Sequence, residues 1–174
     1  AFLIIIQLHS LIAQDTHFDA NDDFFRVIDS VYNNDFLLKN GRNYIPDFSR
    51  AKGHPYFNSD IWTKSKLILE NKVYNDASIL YDIYNDRVIC VVKGAANEEI
   101  LIILNNEAVT GFSILNHEFI NIKIASGLPK SIFEKIYNGN EFEIYLKWNK
   151  EFLRVYTKEY QGEYFGQHRI INIV

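Results

Sequence analysis

The sequence predicts a mainly β protein, in which an antiparallel meander forms a sandwich or an open barrel and one amphipathic helix lies near the N-terminus. Three observations lead to this fold class. Apolar residues recur with helical spacing over residues 21–32, and they alternate with a period of two from about residue 60 onward. Turn residues separate the alternating segments at short intervals.

The first segment predicts export. Residues 1–14 hold ten apolar residues and no charge, and the polar residues 15–17 follow directly. An apolar run that ends at a small residue, here Ala13, is typical of a secretory signal peptide, although the basic stretch that usually precedes it is missing. We therefore expect a periplasmic or extracellular protein whose mature chain begins near residues 14–15. A buried first strand or helix is one alternative, and a membrane anchor, which needs roughly 20 apolar residues, is another.

Length, charge and cysteine content bound the rest of the chain. The 174 residues carry a net charge of −4 and one cysteine, Cys90, so no disulfide is expected within the chain. No linker or low-complexity tract divides residues 15–174, which predicts a single β-rich domain without a transmembrane span. The basic residues form no stripe, which argues against a nucleic-acid partner.

The predicted helix covers residues 21–32. Its apolar positions 24, 27, 28 and 31 share one face. Asn21 or Asp22 can cap its N-terminus, and the acidic residues of the first turn suit the helix dipole. We expect the helix to end at Asn33 and Asn34.

Short strands between turn residues follow the helix. Residues 88–92 and 100–104 are apolar throughout, so we expect both of their faces to be covered. Residues 119–124 and 141–148 alternate instead. The predicted core-facing row of residues 141–148 consists of Phe142, Ile144, Leu146 and Trp148. The predicted turns are Asn71-Lys72, Asn85-Asp86, Gly94-Ala95, Asn105-Asn106, Asn116-His117, Asn138-Gly139, Asn149-Lys150 and Gln161-Gly162.

Two segments of the meander are less regular. Residues 129–139 fit a helix, with a proline near its start and a glycine after its end, and they equally fit the first arm of a hairpin that turns at Asn138-Gly139. We expect a strand there. Residues 169–174 read as a strand in which the sequence stops, so we expect the domain to continue beyond Val174.

The sequence lacks the usual motifs of catalysis and metal binding. The histidines at positions 9, 17, 54, 117 and 168 are too widely spaced for one helix or strand to supply paired ligands, which predicts no metal and no cofactor. No Gly-x-Ser-x-Gly motif occurs, and Cys90 lies in an apolar strand that disfavours a thiolate. Asp82 and Asp86 flank a predicted hairpin, in which Asp86 serves as a turn residue. We therefore expect no enzyme, with a hydrolase as the least favoured alternative.

Aromatic residues supply the candidate binding site. The chain has 11 Tyr, 13 Phe and 2 Trp, some of which surround one histidine-containing loop while others lie near the C-terminal end. The candidate binding residues are His54, Tyr56, Phe57, Trp62, Tyr160 and Tyr164. The alternative role of the loop, which we favour, is structural. In that role Gly53 and Pro55 shape a loop whose aromatic side chains plug the end of the sheet, and His54 bonds to a backbone carbonyl.

Several motifs of the chain resemble those of a bacterial family. The motifs are, in order, Gly53-His54-Pro55-Tyr56-Phe57, Trp62, Leu80-Tyr81-Asp82-Ile83-Tyr84-Asn85-Asp86 and the hairpin at Asn138-Gly139. This order resembles an uncharacterised exported family of Gram-negative bacteria with Gly-His-Pro-Phe-Phe, Tyr-Asp-x-Tyr-x-Asp and Asp-Gly motifs. The resemblance covers roughly residues 40–150, and Tyr56 and Asn138 depart mildly from the family pattern. It implies export and a β-rich domain, but no activity and no functional residue.

Together these features predict an exported, non-catalytic protein that acts as a binding or envelope-structural domain. Its partner is unknown, with envelope glycan, lipid or protein as the candidate classes. The alternative is a carrier of apolar ligands such as lipid in a cavity of the curved sheet. A carrier requires a hollow apolar interior of roughly 300 Å³ or more, whereas a filled core argues against it.

Overall fold

The protein is described by a computed structural model over residues 36–94 and 96–173. The predicted signal peptide and the predicted helix of residues 21–32 lie outside the described residues. No helix within the described residues has the length and apolar character needed to cross a membrane. The elements are α1 (Phe36–Lys39), β1 (Arg42–Asn43), β2 (Ala51–Lys52), β3 (Thr63–Leu69), β4 (Lys72–Asp82), β5 (Arg87–Lys93), β6 (Glu99–Ile103), β7 (Val109–Ile114), β8 (His117–Ile122), β9 (Ser131–Asn138), β10 (Glu143–Leu153) and β11 (Gly162–Ile173).

The described strands form one open sheet of 11 strands in the order β1-β6-β5-β4-β3-β7-β8-β9-β10-β11-β2. Two antiparallel meanders, β3 to β6 and β7 to β11, make up most of it. They meet where β7 pairs with β3 instead of with β6. The short β2 pairs in parallel with β11. The predicted mainly β, largely antiparallel architecture is therefore confirmed.

Residues with positive φ angles form several hairpin turns. Asp86, with φ 53°, follows Asn85 between β4 and β5, and Leu115, with φ 54°, lies between β7 and β8. Asp tolerates this conformation, whereas a leucine adopts it at a cost of about 1–2 kcal/mol. The predicted turn at Asn149-Lys150 is wrong, because both residues lie inside β10 and pair with β11. The long pairing with β11 overrides the local turn preference of these two residues.

Core residues cover both faces of β5, as its apolar sequence predicts. Val88 and Cys90 point into the main core, while Ile89 joins Leu80 and Ile103 in a smaller cluster on the other face. Burying one such aliphatic side chain stabilises the fold by about 1.5–3 kcal/mol. The aromatic side chains that pack against this smaller cluster are Tyr44, Tyr56 and Trp62.

The two segments before and after the β9–β10 turn differ in how well the sequence predicts them. Residues 129–139 contain a strand as expected, because β9 pairs with both β8 and β10. The core-facing row predicted for residues 141–148 is only partly correct. Phe142 precedes β10 and is 43% exposed, whereas Tyr145, from the predicted polar face, is buried. A register shift between Ile144 and Tyr145 interrupts the simple alternation.

The sheet curves so that its two meanders contact each other. The β4–β5 turn reaches the start of β9, although β3, β7 and β8 lie between β4 and β9 in the sheet. The Tyr81 hydroxyl lies 3.4 Å from the Ile132 carbonyl, and Asp86 accepts a hydrogen bond from the Ser131 hydroxyl at 2.6 Å. Because neighbouring strands lie about 4.8 Å apart, a flat sheet would keep these residues far from each other.

Candidate functional site

The loop of residues 53–62 follows β2 and folds back along the end of β4. Gly53 begins the loop with φ 74°, and a β-carbon at this position would lie 3.0 Å from the carbonyl oxygen of Tyr164. Farther along, the N–H of Phe57 donates to the carbonyl of Tyr81 at 2.8 Å. The path of the loop therefore depends on a backbone conformation that suits glycine, as the structural role of the loop predicts.

Lys150 of β10 also holds this loop in place. Its Nζ donates to the carbonyls of His54 at 2.8 Å and Tyr56 at 2.9 Å, and it lies 3.3 Å from Nδ1 of His54. Burial lowers the pKa of Lys150, an effect that the charges of Asp60 and Asp82 oppose. Its bonds to the loop join β10 to residues far away in the sequence.

The His54 ring accepts a hydrogen bond from the backbone. Its Nδ1 lies 3.2 Å from the N–H of Tyr56, so the expected bond from the ring to a backbone carbonyl is wrong. Burial, together with the charge of Lys150, lowers the pKa of His54 from its usual 6.5. The lowered pKa favours the neutral ring, whose proton then lies on Nε2 because Nδ1 accepts the bond from Tyr56.

A hydrogen-bonded network supports the loop from the side of β5. The hydroxyls of Tyr44 and Tyr56 lie 2.7 Å apart, and the Arg87 guanidinium lies 5.5 Å from the centre of the Tyr44 ring. Arg87 donates to Asp82 at 2.8 Å and to Asp47 at 2.7 Å. Asp82 is fully buried and also accepts two backbone N–H groups of the β4–β5 turn. Such a buried carboxylate is stable because its oxygens are hydrogen-bonded.

The structure brings three of the predicted binding residues into one region. Tyr56 and Trp62 both pack against the smaller core cluster, and Tyr44 packs beside them. His54 stacks on Tyr56, with ring centroids 5.8 Å apart. We refer to the side chains of Tyr44, Tyr56 and Trp62 as the aromatic face. Arg87, which packs on Tyr44, was not among the candidates from sequence, because it lies in an ordinary strand context.

The other three predicted residues lie elsewhere. Phe57 turns into the main core, is 5% exposed and meets the ring of Trp148 edge-on at 5.2 Å. Tyr164 is buried against Phe152, with ring centroids 4.6 Å apart. Tyr160 belongs to the connection between β10 and β11, where its N–H donates to the Thr157 hydroxyl at 3.0 Å. Phe57 and Tyr164 are therefore packing residues.

A second polar cluster forms where the β4–β5 turn meets β9 and β10. The Ser131 hydroxyl donates to Asp86 at 2.6 Å and accepts from Lys147 at 2.7 Å, while Lys147 also pairs with Asp86. The Tyr81 hydroxyl donates to the same carboxylate at 2.9 Å. Asp86 is thus more than the turn residue that the sequence predicted. It anchors its hairpin to the other meander.

This second cluster holds the residue types of a hydrolase, but its groups are engaged with one another. Burial lowers the pKa of Lys147, and the charge of Asp86 opposes that effect. A serine nucleophile requires a nearby base that is free to take its proton. Here the ammonium of Lys147 pairs with the carboxylate to which Ser131 already donates. The cluster therefore links the β4–β5 turn to strands β9 and β10.

Two further buried groups complete the polar interior. Glu134, 6% exposed, accepts from His117 Nδ1 at 2.5 Å and from Trp148 Nε1 at 2.6 Å. Burial raises the pKa of Cys90 to about 12, which agrees with the expectation that its thiolate is disfavoured. In the part of the chain that the structure describes, no group of three or more His, Cys, Asp or Glu side chains is placed to hold a metal ion.

Comparison with known proteins adds no relative. A scan against protein-family models gave no match, and neither did a search of curated proteins or of solved structures.

Proposed function

We propose that this chain is an exported, non-catalytic binding domain that recognises its partner through the aromatic face. The observation that carries this proposal is the rigid support of the face. The hydroxyls of Tyr44 and Tyr56 bond to each other, Lys150 holds the backbone of Tyr56, and Arg87 packs on Tyr44. Side chains fixed in this way before binding lose little conformational entropy when a partner arrives.

The surroundings of the aromatic face suit a partner that is partly apolar and partly polar. Ile45 and Ile61, which are 75% and 71% exposed, adjoin Tyr44 and Trp62 in the chain. Asp47, whose carboxylate is partly exposed, adds a hydrogen-bond acceptor near Tyr44. Sugar rings combine apolar faces with hydroxyl groups, and aromatic side chains beside polar groups match that combination. An envelope glycan is therefore our first candidate partner, ahead of lipid and protein.

Export is part of the same proposal. Its support is the uncharged apolar segment of residues 1–14 and the resemblance to an exported bacterial family. An envelope-structural role without a specific ligand is the outcome that remains if the aromatic face binds nothing.

We also infer that the curved sheet forms an open barrel and does not divide into two packed sheets. The support is the single continuous strand order and the contact between the β4–β5 turn and β9. In this arrangement the loop of residues 53–62 plugs one end, with Phe57 inside and the aromatic face outside. The barrel then serves as a rigid scaffold for the loop.

The binding proposal is tested by titrating the protein with soluble envelope glycan fragments and measuring binding calorimetrically. Trp62→Ala should weaken binding by about tenfold or more, because aromatic anchors dominate such surfaces. Tyr160→Ala is the matched control, since it removes an aromatic ring outside the face, and it should leave binding unchanged. If Trp62→Ala binds as tightly as Tyr160→Ala and the unmodified protein, and the melting temperatures are unchanged, the binding site lies elsewhere. Absence of binding by the unmodified protein would favour the structural role.

A carrier of apolar ligands is the second candidate function. Buried side chains from β3, β5, β7 and β8, among them Leu67, Val88, Phe112 and Phe119, fill the described interior of the sheet, so a ligand in that interior would have to displace the core. The observation that favours a carrier is a cleft beside α1, whose lining is partly apolar and includes three lysines and two acidic residues.

A further inference from the structure

A cleft of about 640 Å³ lies beside α1 and is lined by residues of α1 and of strands β3 to β6. Its apolar lining includes Leu38, Tyr74, Ala77 and Val92, all of which pack on the main core. Its volume falls within the range of roughly 300–1,000 Å³ that is usual for small-molecule sites. None of the predicted binding residues lines it, so the cleft is separate from the aromatic face.

The rim of the cleft has one more positive than negative formal charge. Lys39, Lys64 and Lys93 line it together with two acidic residues, Asp76 and Glu99. Lys64 is exposed, and its Nζ donates to the backbone carbonyl of Asp76 at 3.3 Å, which leaves its charge uncompensated by that contact. The Lys93–Glu99 pair, 3.0 Å apart, is more than half exposed on both sides. Such surface pairs are weak, so Lys93 can turn to another anion at small cost.

We propose that this cleft binds a single-chain amphiphilic anion, such as a fatty acid, with the acyl chain on the apolar floor and the carboxylate at Lys64 and Lys93. The argument is charge and polarity complementarity. A chain with a net charge of −4 places three lysines and two carboxylates, a local excess of one positive charge, around an apolar surface at this point. Each methylene that leaves water strengthens binding, and the carboxylate gains charge-assisted hydrogen bonds from the ammonium groups. This inference rests on the carrier, our second candidate function, and specifies its binding site and the chemical class of its ligand.

The probe is laurate, kept below its micelle concentration and titrated calorimetrically into the full chain. We expect saturable binding to one site. Lys64→Gln should weaken it by about fivefold to tenfold, as expected for the loss of one charged contact. Lys66→Gln is the matched control, because Lys66 is an exposed lysine of the same strand that does not line the cleft. Its laurate affinity should equal that of the unmodified protein.

A further variant and two further ligands separate the contribution of the apolar floor from that of the charged rim. Ala77→Leu fills the floor and should weaken laurate binding, whereas dodecanol and acetate, which lack the charge and the acyl chain respectively, should bind weakly or not at all. Equal affinity for dodecanol or acetate, an unchanged affinity of Lys64→Gln, or no saturable binding would overturn the proposal. Trp62→Ala should leave laurate binding intact. Loss of laurate binding in that variant would place the amphiphile at the aromatic face, so failure of the cleft and failure of the aromatic face are distinguishable.

Discussion

Trp148 provides the sharpest test of how this fold is held together. Its ring packs edge-on against Phe57 of the loop at 5.2 Å, and its Nε1 donates to the buried carboxylate of Glu134 at 2.6 Å. Replacing Trp148 by alanine removes both contacts at once. It also leaves Glu134 with His117 as its remaining side-chain hydrogen-bond partner among the described residues.

The expected loss of stability follows from these contacts. Truncating a buried tryptophan to alanine costs about 3–5 kcal/mol, and a hydrogen bond to a charged acceptor contributes about 1.5–3 kcal/mol. Because Trp148 is only partly buried, we expect the combined effect to stay near 3–5 kcal/mol in the free energy of unfolding. Trp148→Phe keeps most of the packing against Phe57 and loses the hydrogen bond, so it should cost about 1.5–3 kcal/mol.

Urea unfolding followed by circular dichroism measures both values. Tyr156→Ala is the control, since Tyr156 is an exposed aromatic residue, and its effect should stay within about 0.5 kcal/mol. A loss below about 1 kcal/mol for Trp148→Ala would refute the packing of loop and β10 described above. Equal losses for the alanine and phenylalanine variants would instead assign the whole effect to the hydrogen bond with Glu134.

Gly53→Val should destabilise the protein by about 2 kcal/mol or more in urea unfolding, because valine is strained at positive φ, while His54→Gln should lose less than about 1 kcal/mol; the reverse order would contradict the structural role of the loop. The pKa of His54 is lowered from 6.5 in the folded state. The unfolded chain therefore takes up this proton first as the pH falls, and the resulting loss of stability develops as the pH falls through about 6.5, the usual pKa of histidine in the unfolded chain. Stability should accordingly fall more steeply between about pH 7 and pH 5 in the unmodified protein than in His54→Gln, and parallel curves would show that the pKa of His54 is not lowered. Asp86→Ala should cost about 3–5 kcal/mol, because it leaves the ammonium of Lys147 without its carboxylate, and it should cost more than Lys147→Met, which leaves Asp86 bonded to Tyr81 and Ser131; equal losses in urea unfolding would argue against the cross-link.

The local pattern of the sequence predicts most strands because it records which faces are buried. Residues 88–92 are apolar throughout, and β5 is indeed covered on both faces. The order of the strands could not be predicted, since β3 pairs with β7 across the whole of the first meander and no local period reports such a pairing. The turn expected at Asn149-Lys150 fails for the same reason. Its local propensity is real, but a distant partner, β11, decides the conformation.

The polar contacts of the candidate site could not be predicted from sequence either, because they join residues that are far apart in the chain. A histidine next to Pro55 correctly indicates an ordered loop, because proline restricts the residue before it. Lys150, which orders that loop, is 96 positions away from His54 and bonds to backbone carbonyls. Every residue has a carbonyl, so such a contact leaves no pattern of side-chain types in the sequence. Asp86 differs, since its partners Ser131 and Lys147 are side chains, yet they too lie on other strands. Sequence reasoning can therefore identify the residues of such a site, but their partners emerge only when the curvature of the sheet is known.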